Sequence, residues 1–127
     1  MEVKQTTAGS LRQGRFVIFD GIAYVVKSID ISKTGKHGST KCRIEAISFI
    51  GDKKIVKILP TSDNIDTPVI EKKNAQVLSI KENIANVMDI ESYEIFDLEI
   101  PEEFKGELKE GSEIIYWIIL NNKIMKQ

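Results

Sequence analysis

The sequence predicts an all-β protein built as two small units, residues 1–69 and 70–127, and three observations carry that prediction. Short runs rich in β-branched and aromatic residues recur along the chain, separated by tight-turn dipeptides such as Asp20-Gly21 and Gly51-Asp52. One stretch of turn formers, Pro60-Thr61-Ser62-Asp63-Asn64-Ile65-Asp66-Thr67-Pro68, divides the series. The charge changes sign near that stretch: residues 1–70 hold eleven Lys/Arg against seven Asp/Glu, and residues 71–127 hold seven against twelve. A chain of 127 residues would ordinarily be one domain, so the reversal of charge is the stronger guide.

The elements follow in order. Arg15 to Phe19 is a β-rich run, Asp20-Gly21 a two-residue hairpin turn, and Ile22 to Val26 its return strand. Lys41 to Phe49 alternates, with Cys42, Ile44, Ala46 and Ser48 on one face and Arg43, Glu45, Ile47 and Phe49 on the other. Gly51-Asp52 turns the chain, Lys54 to Leu59 alternates polar with apolar, and Pro60, lacking an N–H, stops the strand. Four short strands joined by tight turns predict an SH3-like barrel, and 60–68 is read as a connector.

The second series is Gln76–Lys81, Ile84–Asp89, Glu94–Ile100, Glu113–Leu120 and Lys123–Met125, with Asn121-Asn122 as the last turn. Pro101-Glu102-Glu103-Phe104-Lys105-Gly106 reads as a short helical turn, with proline and acids at its start and glycine at its end. Five strands with a helical turn between the third and fourth predict an OB-fold.

Composition removes several function classes. The chain is 42% apolar and 29% charged with a formal net charge of −1, the profile of a globular protein. Its longest apolar run, Ile114 to Leu120, is far short of a membrane span, so no membrane association is expected. Met1 to Thr7 carries an acid at position 2 and no apolar run, so no secretory signal is expected. One cysteine, Cys42, and one histidine, His37, leave no internal disulfide and no His- or Cys-based metal site, and a cytoplasmic location is expected. Cys42 is read as a small core residue. No nucleophile–base pair is visible, so no catalytic residues and no enzymatic activity are expected.

The most unusual stretch is Ser32-Lys33-Thr34-Gly35-Lys36-His37-Gly38-Ser39-Thr40-Lys41, three lysines and a histidine among small residues between two strands. Lacking an apolar anchor, it is expected to project into water as a positive tip. Gly35 and Gly38 bracket Lys36 and His37 and permit left-handed backbone and close approach of another surface. A phosphate-binding P-loop fails, because Gly35-Lys36 is followed by His37 and then by strand, not by Ser/Thr opening a helix. A catalytic Lys–His pair fails for want of a desolvating pocket. A solvated hairpin loop without a role is the plain alternative.

Thr34-Gly35-Lys36-His37-Gly38, preceded by Ser32-Lys33 and closed by Lys41, resembles the modification loop of the translation factor 5A family, the hypusine-containing factor of archaea and eukaryotes and a relative of bacterial elongation factor P. Leu11-Arg12-Gln13-Gly14-Arg15-Phe16-Val17 resembles the family's first strand and 60–68 its interdomain connector. Tyr116-Trp117 with a short C-terminal end is similar to archaeal members. Thr40 departs from the family's common alanine.

The resemblance implies that Lys36 is the lysine that deoxyhypusine synthase converts, with an aminobutyl group from spermidine, to deoxyhypusine or onward to hypusine. No bound cofactor is implied. It implies a factor that binds the ribosome beside peptidyl-tRNA, touches ribosomal RNA, and promotes peptide-bond formation at stalling sequences such as polyproline. No DNA partner is expected. Lys33, Thr34, Gly35, His37, Gly38 and Lys41 would present the modified lysine or touch tRNA. Lys27, Arg43, Lys53, Lys54 and Lys57 are candidate phosphate contacts, with ordinary outward strand charges as the alternative for each. Glu91, Glu94, Asp97 and Glu99 crowd the acidic half, so the N-terminal half is expected to make the main contact with tRNA. Tyr93, Phe96, Tyr116 and Trp117 are read as core or interface, not as base-stacking platforms. The competing reading is a generic SH3/OB RNA-binding module whose basic loop acts unmodified.

Overall fold

The structure is a computed structural model that describes residues 3–33 and 40–126, Lys33 by its main chain alone. The chain divides into two compact units, 1–69 and 70–127. Both are antiparallel β structures.

The first unit holds β1 (Val3–Thr7), β2 (Phe16–Phe19), β3 (Ile22–Lys33), β4 (Thr40–Ser48), β5 (Lys54–Pro60) and β6 (Asn64–Pro68), in the sheet order β1-β6-β2-β3-β4-β5. This is the expected SH3-like barrel with two more strands than the sequence pattern gave. The supposed connector 60–68 contains β6, which pairs with β1 from Thr7↔Asn64 to Val3↔Pro68 and meets β2 at Ile18↔Asp66. Only Thr61 to Asp63 turns the chain, closed by the Asp63 N–H on the Pro60 carbonyl at 3.1 Å. Residues 11–15, read as the start of a strand, instead form a turn that donates Gly14 N–H to Val26 O and accepts Val26 N–H at Arg15 O.

The Asp20-Gly21 hairpin has the left-handed pair of angles that a two-residue turn demands, φ 54° and 77°. Beyond it β3 runs twelve residues, much longer than the expected Ile22–Val26. The reason is a bulge between Val26 and Ser28 that leaves Lys27 without a cross-strand partner. It reverses the inward parity, so Tyr24 and Val26 fill the core before the bulge and Ile29 packs there after it. The core, Ala8, Leu11, Val17, Tyr24, Val26, Cys42, Ile44, Ala46 and Ile65, includes three of the four β4 residues assigned to one face.

The second unit is the expected OB-fold: β7 (Glu71–Lys81), β8 (Ile84–Asp89), β9 (Ile95–Glu99), β10 (Glu113–Ile119) and β11 (Asn122–Met125), ordered β11-β10-β7-β8-β9. A 3₁₀ turn, Glu102–Phe104, sits between β9 and β10, with Pro101 just before it and not inside it. The last turn is Leu120-Asn121, one residue earlier than expected, both at positive φ. A second bulge, at Leu78, lets β7 bury Ala75 and Val77 and then Ile80.

The sheet curls until its edge strands β9 and β11 come together, and one side chain links them. Lys123 of β11 reaches Glu94 at 2.7 Å and lies 4.1 Å from the Phe96 ring centre on β9. Phe96 and Tyr116 meet edge to face in the core, while Lys72 and Lys126 each lie 4.8 Å from the Trp117 ring. Tyr93 is neither core nor covered: it is 71% exposed at the β8–β9 turn.

Candidate functional site

The functional candidates cluster on β3, β4 and their connection. β3 and β4 pair from Tyr24↔Ser48 to Lys33↔Thr40, so their far ends form the arm that carries the connection, with β5 paired along β4 as far as Lys41↔Pro60. Thr34, Gly35, Lys36, His37 and Gly38 lie outside the described residues, as does the side chain of Lys33. Lys36 belongs to the six-residue connection between Lys33 and Thr40, the two roots of the arm.

The root at Thr40 is tied to the barrel a second time. The Thr40 carbonyl accepts the Thr61 N–H at 3.0 Å and the Thr61 hydroxyl at 3.2 Å. Thr61 in turn accepts the Gly9 N–H at 2.9 Å, and Ala8 N–H bonds Asp63 O at 2.9 Å. Gly9 approaches so closely that a Cβ there would stand 2.9 Å from the Thr61 Cβ. Glycine is needed here for space, not for an unusual backbone angle. Sequence reasoning missed both Gly9 and Thr61, which sat in short polar runs that look like ordinary turns.

Two residues along β4 from Thr40, Cys42 is buried and its thiol points at the Leu59 carbonyl, 3.4 Å away. Burial, then the nearby Asp63 charge, pushes the thiol pKa up, which suits an inert core residue.

The other basic candidates do not form one surface. Lys41, Arg43 and Lys54 stand on the outer face of β4 and β5, whereas Lys57 pairs across from the buried Ile44 and so occupies the opposite face. There it lies 5.7 Å from the Phe19 ring centre and 3.6 Å from Asp20. Arg43 is bonded to Glu45 at 2.8 Å, and Lys54 is 4.0 Å from the same carboxylate. Hydrogen bonds from Arg43 and then Ser28, and then the Lys54 charge, hold the Glu45 pKa below its ordinary value. Lys27 at the bulge, Lys41 beside the root and Lys53 in the β4–β5 turn are exposed. The outer face therefore carries mixed charge, together with the exposed Val56 and Ile58.

Among the described residues no three His, Cys, Asp or Glu side chains gather as a metal site, and no helix is long and apolar enough to cross a membrane. A cleft of about 340 Å³ lies in the second unit, lined by Ile80, Ile100, Phe104 and Leu108 together with Glu82, Asn83 and Lys105.

Comparison with known proteins decides the family. Residues 2–63 match the family model described as translation initiation factor 5A-like, N-terminal. The translation initiation factor 5A of Methanococcoides burtonii is 45% identical over 113 residues, covering 89% of each chain. That of Archaeoglobus fulgidus is 41% identical over 113 residues, covering 89% of this chain and 88% of its own. The chain belongs to the translation initiation factor 5A family.

A solved structure of the factor from Methanococcus jannaschii superposes on this family member with a TM-score of 0.90 at 34% identity, covering 98% of this chain and 93% of the other. An initiation factor 5A family protein from Naegleria fowleri shares the fold, with a TM-score of 0.78 at 24% identity. The factor 5A relatives carry the names of translation factors and not of enzymes, and this chain is a translation factor of that archaeal type.

Proposed function

We propose that this factor 5A family protein is activated by conversion of Lys36 to deoxyhypusine or hypusine, and that in this form it binds the ribosome beside peptidyl-tRNA and promotes peptide-bond formation at stalling sequences such as polyproline. The observation that carries the reading is the position of Lys36: it falls in the short connection at the end of the β3–β4 arm, in the basic half of the chain, within the Thr34–Gly38 motif. An aminobutyl extension makes lysine a longer, slender dication, suited to a polyanionic RNA cleft too narrow for a folded domain. Its effect is positional. Orientation of reacting groups is worth up to roughly 7–11 kcal/mol in ideal cases, and the ribosome supplies the chemistry. Deoxyhypusine synthase is the implied partner for the modification, and the cytoplasm the implied compartment.

The mixed charge of the outer face weighs against a generic RNA-binding module. Such a module needs several unpaired cations on one surface; Arg43, Lys54 and Lys57 are engaged with Glu45 and Asp20 and lie on two faces, which leaves Lys27, Lys41 and Lys53 at the bulge, the root and the β4–β5 turn.

The test is intact and peptide mass spectrometry on the protein from its native cells. An aminobutyl or hydroxylated aminobutyl increment on Lys36 supports the proposal and identifies the final form. Fully unmodified Lys36 overturns it.

A further inference from the structure

We propose that Gly9 and Thr61 are positioning residues for Lys36: a brace running from the N-terminal 3₁₀ turn (Ala8–Ser10) through the β5–β6 turn to the Thr40 carbonyl sets the angle at which the 34–39 connection leaves the barrel. The inference rests on the modification reading above and deepens it by naming what presents the lysine.

At Lys33 the β3–β4 ladder is the only main-chain tie among the described residues. At Thr40 it is not. One carbonyl takes two donors from Thr61, the backbone N–H and the hydroxyl, which uses both of its lone pairs on a single residue. Thr61 is itself fixed from behind. Its carbonyl accepts the Gly9 N–H, and its Cβ lies where a Cβ on Gly9 would collide. Ala8, fully buried, anchors this turn in the core and bonds Asp63 at the far side of the same β5–β6 turn. The 3₁₀ turn thus holds the β5–β6 turn, and Thr61 of that turn in turn holds Thr40, the residue at which the connection rejoins the barrel.

Thr40 is the first described residue after Lys36, so its position fixes where the C-terminal end of the 34–39 connection is anchored. A group that must be delivered in register to another active site is sensitive to misplacement of about 1 Å. A looser root lowers the fraction of molecules in the receptive geometry and therefore raises the apparent KM while leaving the chemical step alone.

The experiment compares the wild type with Thr61→Val, Gly9→Ala and the conservative Thr61→Ser as protein substrates of purified deoxyhypusine synthase with spermidine, after thermal unfolding has shown each to be folded. Thr61→Val keeps the shape and deletes one donor, so KM for the protein is expected to rise about fivefold, the effect of one hydrogen bond, with kcat unchanged. Gly9→Ala pushes Thr61 away and is expected to do at least as much, while Thr61→Ser restores the wild-type KM. Amide hydrogen exchange is expected to quicken at Thr40 and Lys41 and not in the middle of β4. Wild-type KM in both Thr61→Val and Gly9→Ala overturns the brace, as does equal loss in Thr61→Ser. A wild-type protein that accepts no aminobutyl group overturns the modification reading instead, and this inference with it.

Discussion

Tyr116 donates its hydroxyl to Asp89 across the interior of the second unit, two side chains each only 2% exposed and 2.5 Å apart. The other carboxylate oxygen of Asp89 accepts the N–H groups of Glu91 and Ser92, at 2.8 and 2.9 Å. One buried acid therefore satisfies the β8–β9 turn and ties it to β10.

Tyr116→Phe keeps the ring against Phe96 and removes the donor, leaving one carboxylate oxygen buried without its partner. The expected cost is about 1–3 kcal/mol, read as a lower urea midpoint with an unchanged slope. Asp89→Asn keeps an acceptor for the turn amides and is expected to cost less than Asp89→Ala.

The same pair gives a pH signature. The Tyr116 hydroxyl, then the turn amides, hold the Asp89 pKa down at about 2, below the ordinary 3.8. A depressed carboxyl stabilises the fold above its unfolded pKa, so this contribution is complete above about pH 5 and drains away as pH falls through 4 toward 2. Burial, and then its bond to Asp89, pushes the Tyr116 hydroxyl above its ordinary 10. Its contribution is present below pH 10 and fades as pH rises beyond it. Unfolding free energies across pH 2–11 are expected to be flat in the middle for this pair, and Tyr116→Phe should erase the alkaline decline.

Tyr93 has φ 62° and points into solvent, a strained angle with little burial in return. Replacing it with glycine is expected to raise stability by about 1 kcal/mol, measured by chemical denaturation.

Lys123 joins the edges of the second sheet by a charge pair and a ring contact. Lys123→Met keeps the stem over Phe96 and removes the charge, so a loss of about 0.5–1 kcal/mol is expected, shrinking as salt is added. Equal destabilisation at low and high salt would assign the effect to packing instead.

Sequence reading succeeded where a face was buried. β4 was legible because Cys42, Ile44, Ala46 and Ser48 alternate with polar residues, and every one of them is buried. It failed for β1 and β6, Val-Lys-Gln-Thr-Thr against Asn-Ile-Asp-Thr-Pro, where Ile65 alone enters the core cluster and main-chain pairing defines the strands. It also truncated β3, because the bulge at Lys27 changes the parity of a pattern that otherwise continues to Lys33. The loop was recognisable as a motif with Lys36 at its centre. The brace behind it was not, since a carbonyl with two donors and a glycine chosen for space leave no composition to read.

Cys42 sits two residues beyond Thr40, 1% exposed, and is the single cysteine of the chain. Its thiol can meet a soluble alkylating reagent only while the strand end around it is open. The labelling half-time of the unaltered protein is therefore a clock for breathing at the root of the arm, read in minutes or hours from one mass shift.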